Sequence, residues 1–264
     1  MSKIEQFVCL SGLPRTGSTL LSAILSQNPK IHAEGNSAVC QLMWDMSQSC
    51  LKNAKEQLAA SKRNDSTVHD LISQIPDIYY KNIDEKESII VDKCRSWTIP
   101  ANIDLLKKYV GGDFKIIILE RPITEIVKSF AKLYADNNIN LDMRQLLVPQ
   151  SEPIMRSIHG LNIAKNEAGN NNSKNYLFIS YDELINSTKD TIDKIYAFCG
   201  WEPFEHDFKN IVIKYPEDDT VYGLKGQHKI RSSIQKRQNT IKLSQEVLDK
   251  CSQIDKLMGY LSIF

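Results

Sequence analysis

Four short runs of apolar, β-branched residues, each followed by a helical pattern, constrain this chain more than any other feature. They are Phe7-Val8-Cys9-Leu10, Ser88-Ile89-Ile90-Val91-Asp92, Phe114-Lys115-Ile116-Ile117-Ile118-Leu119 and Tyr176-Leu177-Phe178-Ile179-Ser180. Runs this short and this continuous predict strands buried on both faces rather than strands with one wet side. Helices are predicted over Gly17–Gln27 (ended by Asn28-Pro29), 38–60, Val68–Asn82 (interrupted near Pro76), Pro100–Val110 (stopped by Gly111-Gly112), 152–168, Asp182–Cys199 (closed by Gly200) and Ser244–Leu261. Pro122 opens a further helix in the first-turn position that proline tolerates. Residues 136–151, Gly169–Ser173 and 214–240 read as connections, the last of them polar and basic. Strands alternating with helices imply an α/β fold, a three-layer α/β/α sandwich on a mainly parallel sheet, with residues 1–264 forming one domain. Ligands bind such sheets at the carboxyl ends of the strands. Functional side chains are therefore expected just after residues 10, 91, 119 and 180.

Composition narrows the function classes. Thirty-three Lys and Arg against thirty-two Asp and Glu give a net charge of +1, which argues against coating nucleic acid through bulk charge. No run of 18 apolar residues is present, so no membrane span is expected. Met1-Ser2-Lys3-Ile4-Glu5-Gln6 lacks the pattern of a signal peptide. Six cysteines without a C-x-x-C pair read as reduced thiols, and the expected location is cytoplasmic. In that setting the N-x-S/T sequons at Asn64, Asn171 and Asn186 carry no meaning. No nucleic-acid and no membrane partner is expected, for a monomer or homodimer.

The first strand runs into Gly12-Leu13-Pro14-Arg15-Thr16-Gly17-Ser18-Thr19. Set against the phosphate-loop pattern G-x-x-x-x-G-K-[ST], both glycines and the threonine are in place, while Ser18 stands at the lysine position. A strand–loop–helix cradle of backbone N–H groups suits an anion. Without the lysine that grips the β- and γ-phosphates it is not built for ATP chemistry, and Arg15 supplies a cation three positions earlier.

Pro14-Arg15-Thr16-Gly17-Ser18-Thr19-Leu20-Leu21 resembles the 5′-phosphosulfate loop of the sulfotransferases that use 3′-phosphoadenosine 5′-phosphosulfate as sulfuryl donor. Its Pro-Arg is closer to the tyrosylprotein and bacterial-type branches than to the cytosolic aryl branch, which carries Lys there. That resemblance implies further residues. Arg121 and Ser129 have the strand-end Arg plus eight spacing of the family's 3′-phosphate site; eight residues are about two helical turns, so both can face one side, and Arg can fork two bonds onto a phosphate. Ser180-Tyr181-Asp182-Glu183-Leu184 is similar to the segment whose Tyr lies at the adenine, here Tyr181. Tyr222-Gly223-Leu224-Lys225-Gly226-Gln227-His228-Lys229-Ile230-Arg231 resembles the late loop that folds over the donor, which implicates Leu224, Lys225, Gly226 and His228. Lys93, in Asp92-Lys93-Cys94-Arg95-Ser96, matches the family's strand-end Lys. The resemblance covers roughly residues 7–29, 89–130, 176–200 and 220–232; residues 38–85 and 131–170 match nothing and are where acceptor specificity would lie.

The implied reaction is in-line attack of an acceptor hydroxyl or amine on sulfur, with adenosine 3′,5′-bisphosphate leaving. It needs cations around the developing charge and a base for the acceptor proton. Arg15 and Lys93 are the cations. The base is where the chain departs from the pattern: Arg95 stands where aryl-type enzymes have His. His32-Ala33-Glu34 supplies Glu34 as first candidate and His32 as second, with His228 third. No His/Cys cluster has metal-ligand spacing, and no metal is expected. A phosphate-loop kinase or NTPase, and a non-catalytic nucleotide-binding module, are the competing readings.

Overall fold

A computed structural model describes residues 4–149, 153–235 and 240–259. The first three residues, the end of the 136–151 connection, the start of the helix expected at 152, residues 236–239 of the basic stretch and Leu261 lie outside them. Five parallel strands form one sheet: β1 (Gln6–Gly12), β2 (Ile31–His32), β3 (Ile89–Lys93), β4 (Lys115–Glu120) and β5 (Tyr176–Ser180), in the order β2-β3-β1-β4-β5. The central strand β1 places Val8 opposite Val91 of β3 and opposite Lys115 of β4. Four of the strands are those expected. The fifth, β2, pairs Ile31 with Ile89 and His32 with Ile90; two residues are too few to leave a periodic signal.

Alternate residues of each strand enter opposite layers, as the pleat requires. Val8, Leu10, Ile117, Leu119 and Ile179 pack on one face against α1 (Ser18–Leu25). Phe7, Cys9, Ile90, Ile116 and Ile118 pack on the other against α2 (Val39–Asp45), α3 (Asp65–Tyr79), α4 (Pro100–Leu105), α5 (Ile123–Asp136) and α6 (Ile154–Glu167). The first face is completed by α7 (Tyr181–Asn186) and α8 (Thr188–Cys199), the second by α9 (Gln245–Leu257). The α/β/α sandwich is thus the fold.

Several expected helices are bounded differently. The 38–60 helix is broken: α2 passes into a wide π-type turn at Met46–Cys50, and short helical pieces follow at Leu51–Asn53 and Lys55–Ala60. Conversely, α3 begins at Asp65 and runs through Pro76 to Tyr79, because that proline sits in the last turn and forfeits only one bond. The helix expected from Pro100 to Val110 widens into a π-type turn at Leu106. Ser187, at φ −133°, splits the expected 182–199 helix into α7 and α8.

The helix after β4 positions part of the site. It buries Ile123, Ile126, Val127, Phe130 and Leu133, the i, i+3, i+4, i+7 stripe of an amphipathic helix. Each such burial stabilises by roughly 1.5–3 kcal/mol. Pro122 precedes the first turn rather than occupying it and offers no capping side chain. The cap comes from α9 instead: buried Asp255 accepts the N–H groups of Ile123 at 2.5 Å and Thr124 at 3.2 Å, and the Thr124 hydroxyl at 2.9 Å.

Candidate active site

The connection leaving β1 turns toward the β3 edge and the one leaving β4 toward β5, so the two part at the β1/β4 boundary and open a crevice there. The loop after β1 is shaped by backbone. Gly12 has φ +122°, and a Cβ there would run into the Leu119 backbone of β4, to whose carbonyl Leu13 N–H bonds at 3.0 Å. Buried Thr16 donates its hydroxyl to Leu13 O at 2.7 Å, so its side chain holds the turn. Gly17, at φ +88°, caps α1, which has no capping side chain and no acidic residue in its first turn. A Cβ on Gly17 would lie 3.2 Å from the Tyr181 ring. An anion binds well at such a helix start.

Two arginines are anchored at this loop. Arg121, at the end of β4, donates from Nη1 to Arg15 O at 3.0 Å, lies 3.7 Å from Glu125, and stacks 4.2 Å over the Tyr181 ring at the end of β5. Arg15, itself at φ +60°, donates from Nε to Ser129 Oγ at 3.1 Å and from Nη1 to Gln227 O at 2.5 Å. The structure therefore brings Arg15, Arg121, Ser129, Tyr181, Gly17 and the late loop together. Pro14 is buried in the turn, while Ser18, Thr19 and Leu20 start α1 half-buried. This cradle, with its cations and the half-buried Tyr181 ring, could hold a phosphate-bearing nucleotide.

The late segment crosses the carboxyl ends of the strands as a strap. Asn137 fixes it by accepting Lys225 N–H at 2.7 Å and donating to Lys225 O at 3.1 Å. The Lys225 side chain is exposed, so its backbone rather than its ammonium is what the fold ties down. Leu224 packs on the core, and Gly226 adopts φ +74°.

The ends of β2 and β3 carry a second cluster. Lys93 is buried and ion-paired to Glu217 of the strap. Burial pushes the Lys93 pKa below the ordinary lysine value, and Glu217 opposes that shift without cancelling it. Glu217 also accepts from Asn36 Nδ2 at 3.3 Å and lies 3.4 Å from His228 Nε2, while His228 Nδ1 is 2.6 Å from Asp219. His32 is buried with both ring nitrogens on carboxylates: Nδ1 at 2.8 Å from Glu87 and Nε2 at 3.2 Å from Glu34. Burial lowers the His32 pKa, but these two hydrogen bonds outweigh it and the net direction is up. Glu87, buried too, is further bonded by Lys214 at 2.7 Å and by Tyr215. Burial pushes the Glu87 pKa up, Lys214, Tyr215 and His32 outweigh it, and the net direction is down. Half-buried Glu34 lines a small pocket with Lys93, Thr19, Ser22, Tyr215 and Glu217. Beneath them Asp92 accepts from Ser37 at 2.5 Å, Trp97 Nε1 at 2.6 Å and Tyr80 at 2.8 Å. Burial keeps its carboxyl above the ordinary range in spite of these bonds.

A family model described as the sulfotransferase family matches residues 8–206. The chain belongs to the sulfotransferase family. Among curated proteins no relative matches it. Solved structures that share the fold include the following two. The sulfotransferase domain from the Synechococcus PCC 7002 olefin synthase aligns at TM-score 0.61 and 17% identity, over 100% of this chain and 98% of its own. A sulfotransferase from Alicyclobacillus acidocaldarius aligns at TM-score 0.55 and 12% identity, over 98% and 97%. The kinase or NTPase reading is not favoured: this sulfotransferase carries Ser18 where that chemistry needs lysine.

Sequence reasoning missed Glu87, Glu217, Asp219 and Asn36 as parts of this sulfotransferase's second cluster. No local spacing marks them, since each partner arrives from a distant segment. Of this cluster the sequence marks Lys93, Glu34, His32 and His228.

Proposed function

We propose that this sulfotransferase moves a sulfuryl group from 3′-phosphoadenosine 5′-phosphosulfate to an acceptor hydroxyl or amine, releasing adenosine 3′,5′-bisphosphate. The observation that carries the reading is the convergence at the phosphate loop of Arg121, which stacks on Tyr181 and bonds the Arg15 carbonyl, and of Arg15, whose guanidinium bonds Ser129. Bound there, the donor supplies the sulfuryl group and an anionic leaving group. The residues of the chain do the rest. The phosphate loop and the start of α1 hold the 5′ end, Arg121 and Ser129 the 3′-phosphate, and Tyr181 the base. Arg15 and Lys93 set positive charge against the negative charge that develops on transfer. Glu34 takes the acceptor proton. His32, held from behind by Glu87, orients Glu34, and with a carboxylate on each ring nitrogen and its pKa shifted upward it is suited to positioning. The six free cysteines support a reducing, cytoplasmic setting, and residues 1–264 act as one domain.

Nucleotide choice tests this reading. Hydrogen bonds to charged groups contribute about 1.5–3 kcal/mol each. A 5′-monophosphate lacking the 3′-phosphate is therefore expected to bind roughly 10- to 10³-fold more weakly than the 3′,5′-bisphosphate. Arg121→Ala removes most of that preference and Ser129→Ala a smaller part. Equal binding of the two nucleotides by the wild type would overturn the assignment.

A further inference from the structure

We propose that Glu217 is a positioning residue of the transfer site: its carboxylate ties Lys93 of β3 to His228 of the strap and holds the lysine in its working orientation. The proposal rests on the reading of Lys93 as a cation of that site. The Lys93 and Glu217 side chains are only 7% and 10% exposed, so the pair is withdrawn from water. The second carboxylate oxygen is engaged as well, by Asn36 at 3.3 Å and His228 Nε2 at 3.4 Å. Asp219 holds the far side of the His228 ring at 2.6 Å. The space is shaped for the carboxylate, because any Cβ at Gly35 would fall on the Glu217 side chain. Asn36 bridges to β3 at Lys93, and Ser37 N–H bonds Lys93 O at 3.1 Å, so the backbone of the lysine is clamped from the same side.

A buried ammonium that loses its partner is costly and tends to discharge. The groups around Lys93 are Asp92 on its own strand, Arg95 in the turn that follows, Glu34 beyond β2, and Lys214, Glu217, Asp219 and His228 on the strap. Burial and Arg95 push its pKa down; Glu217 and Asp219 push it up. Removing Glu217 should therefore move the titration of Lys93 to lower pH.

The test uses the full chain as wild type, Glu217→Gln and Glu217→Asp. Acetic anhydride labelling of Lys93, read by mass spectrometry across pH, reports its titration without reference to activity. In Glu217→Gln the half-point is expected to fall by on the order of one unit, about a tenfold change in the deprotonated fraction at fixed pH. Sulfate release from the donor, with water as acceptor, should fall in kcat more than KM rises, and its alkaline limb should shift to lower pH by a similar amount. Glu217→Asp keeps the charge but shortens the reach: its half-point stays near that of wild type while kcat falls. An unmoved half-point in Glu217→Gln overturns the proposal. So does faster sulfate release in that variant, because the carboxylate would then be masking the lysine. Binding of adenosine 3′,5′-bisphosphate to the wild type is measured in parallel. Its absence strikes the reading of the site and with it the working role of Glu217, while the labelling half-point still decides whether Glu217 governs Lys93.

Discussion

The two sides of the site are built on different principles. At the ends of β1, β4 and β5 the chain makes a cradle from backbone conformation and guanidinium groups, and most of its parts lie within two short stretches, 12–20 and 121–129. At the ends of β2 and β3 it makes a network of ionisable side chains whose partners are far apart in sequence: His32 and Glu87 by 55 residues, Lys93 and Glu217 by 124, Glu87 and Lys214 by 127. A phosphate is recognised by N–H groups and cations, which one turn and one strand end supply. A proton is handled by groups whose pKa depends on burial and neighbours, which only packing supplies.

The largest effect expected is on the second side. Glu34→Gln keeps the shape and removes the basicity, so kcat should fall by about 10²–10⁴ while bisphosphate affinity holds. If Glu34→Gln turns over normally and His228→Asn does not, the base lies on the strap and the division of labour drawn here moves with it. Next comes the first side. Gly12→Ala forces a Cβ onto the Leu119 backbone at a positive φ, and destabilisation of about 1–3 kcal/mol is expected from overpacking. Unchanged stability by denaturant unfolding would mean that backbone geometry matters less to the cradle than its cations. The smallest effect is a slope. The folded-state pKa of His32 is raised above its unfolded value of about 6.5. Its contribution to stability is then complete below that pH and is lost as pH rises through the folded pKa. The stability difference between wild type and His32→Gln should shrink as pH rises above about 6.5 and through the folded pKa. A difference that stays constant would show that His32 acts by packing alone.

Much of the first side was legible before any coordinates. The expectation that functional residues follow residues 10, 91, 119 and 180 places Arg15, Lys93, Arg121 and Tyr181 at the ends of β1, β3, β4 and β5. The second side was legible only as candidates. Glu34, His32 and His228 could be ranked, but their surroundings could not be read. The strap carries two carboxylates, Glu217 and Asp219, that turn toward β3 and His228 inside a stretch that reads as plainly basic. The short strand β2, which places His32 beside Glu87, is too brief to be periodic.

The sequence by itself determined the order of four of the five strands, their parallel sheet and the glycine turn after β1. These follow from local rules: apolar runs bury on both faces, and glycines take up positive φ where a loop must turn. It did not determine the cap of the helix carrying Ser129, which Asp255 supplies from 132 residues away. Nor did it determine how His32 and Lys93 are charged. Those depend on which carboxylates burial brings within hydrogen-bonding distance, and that distance exists only once the strap has folded back over the sheet.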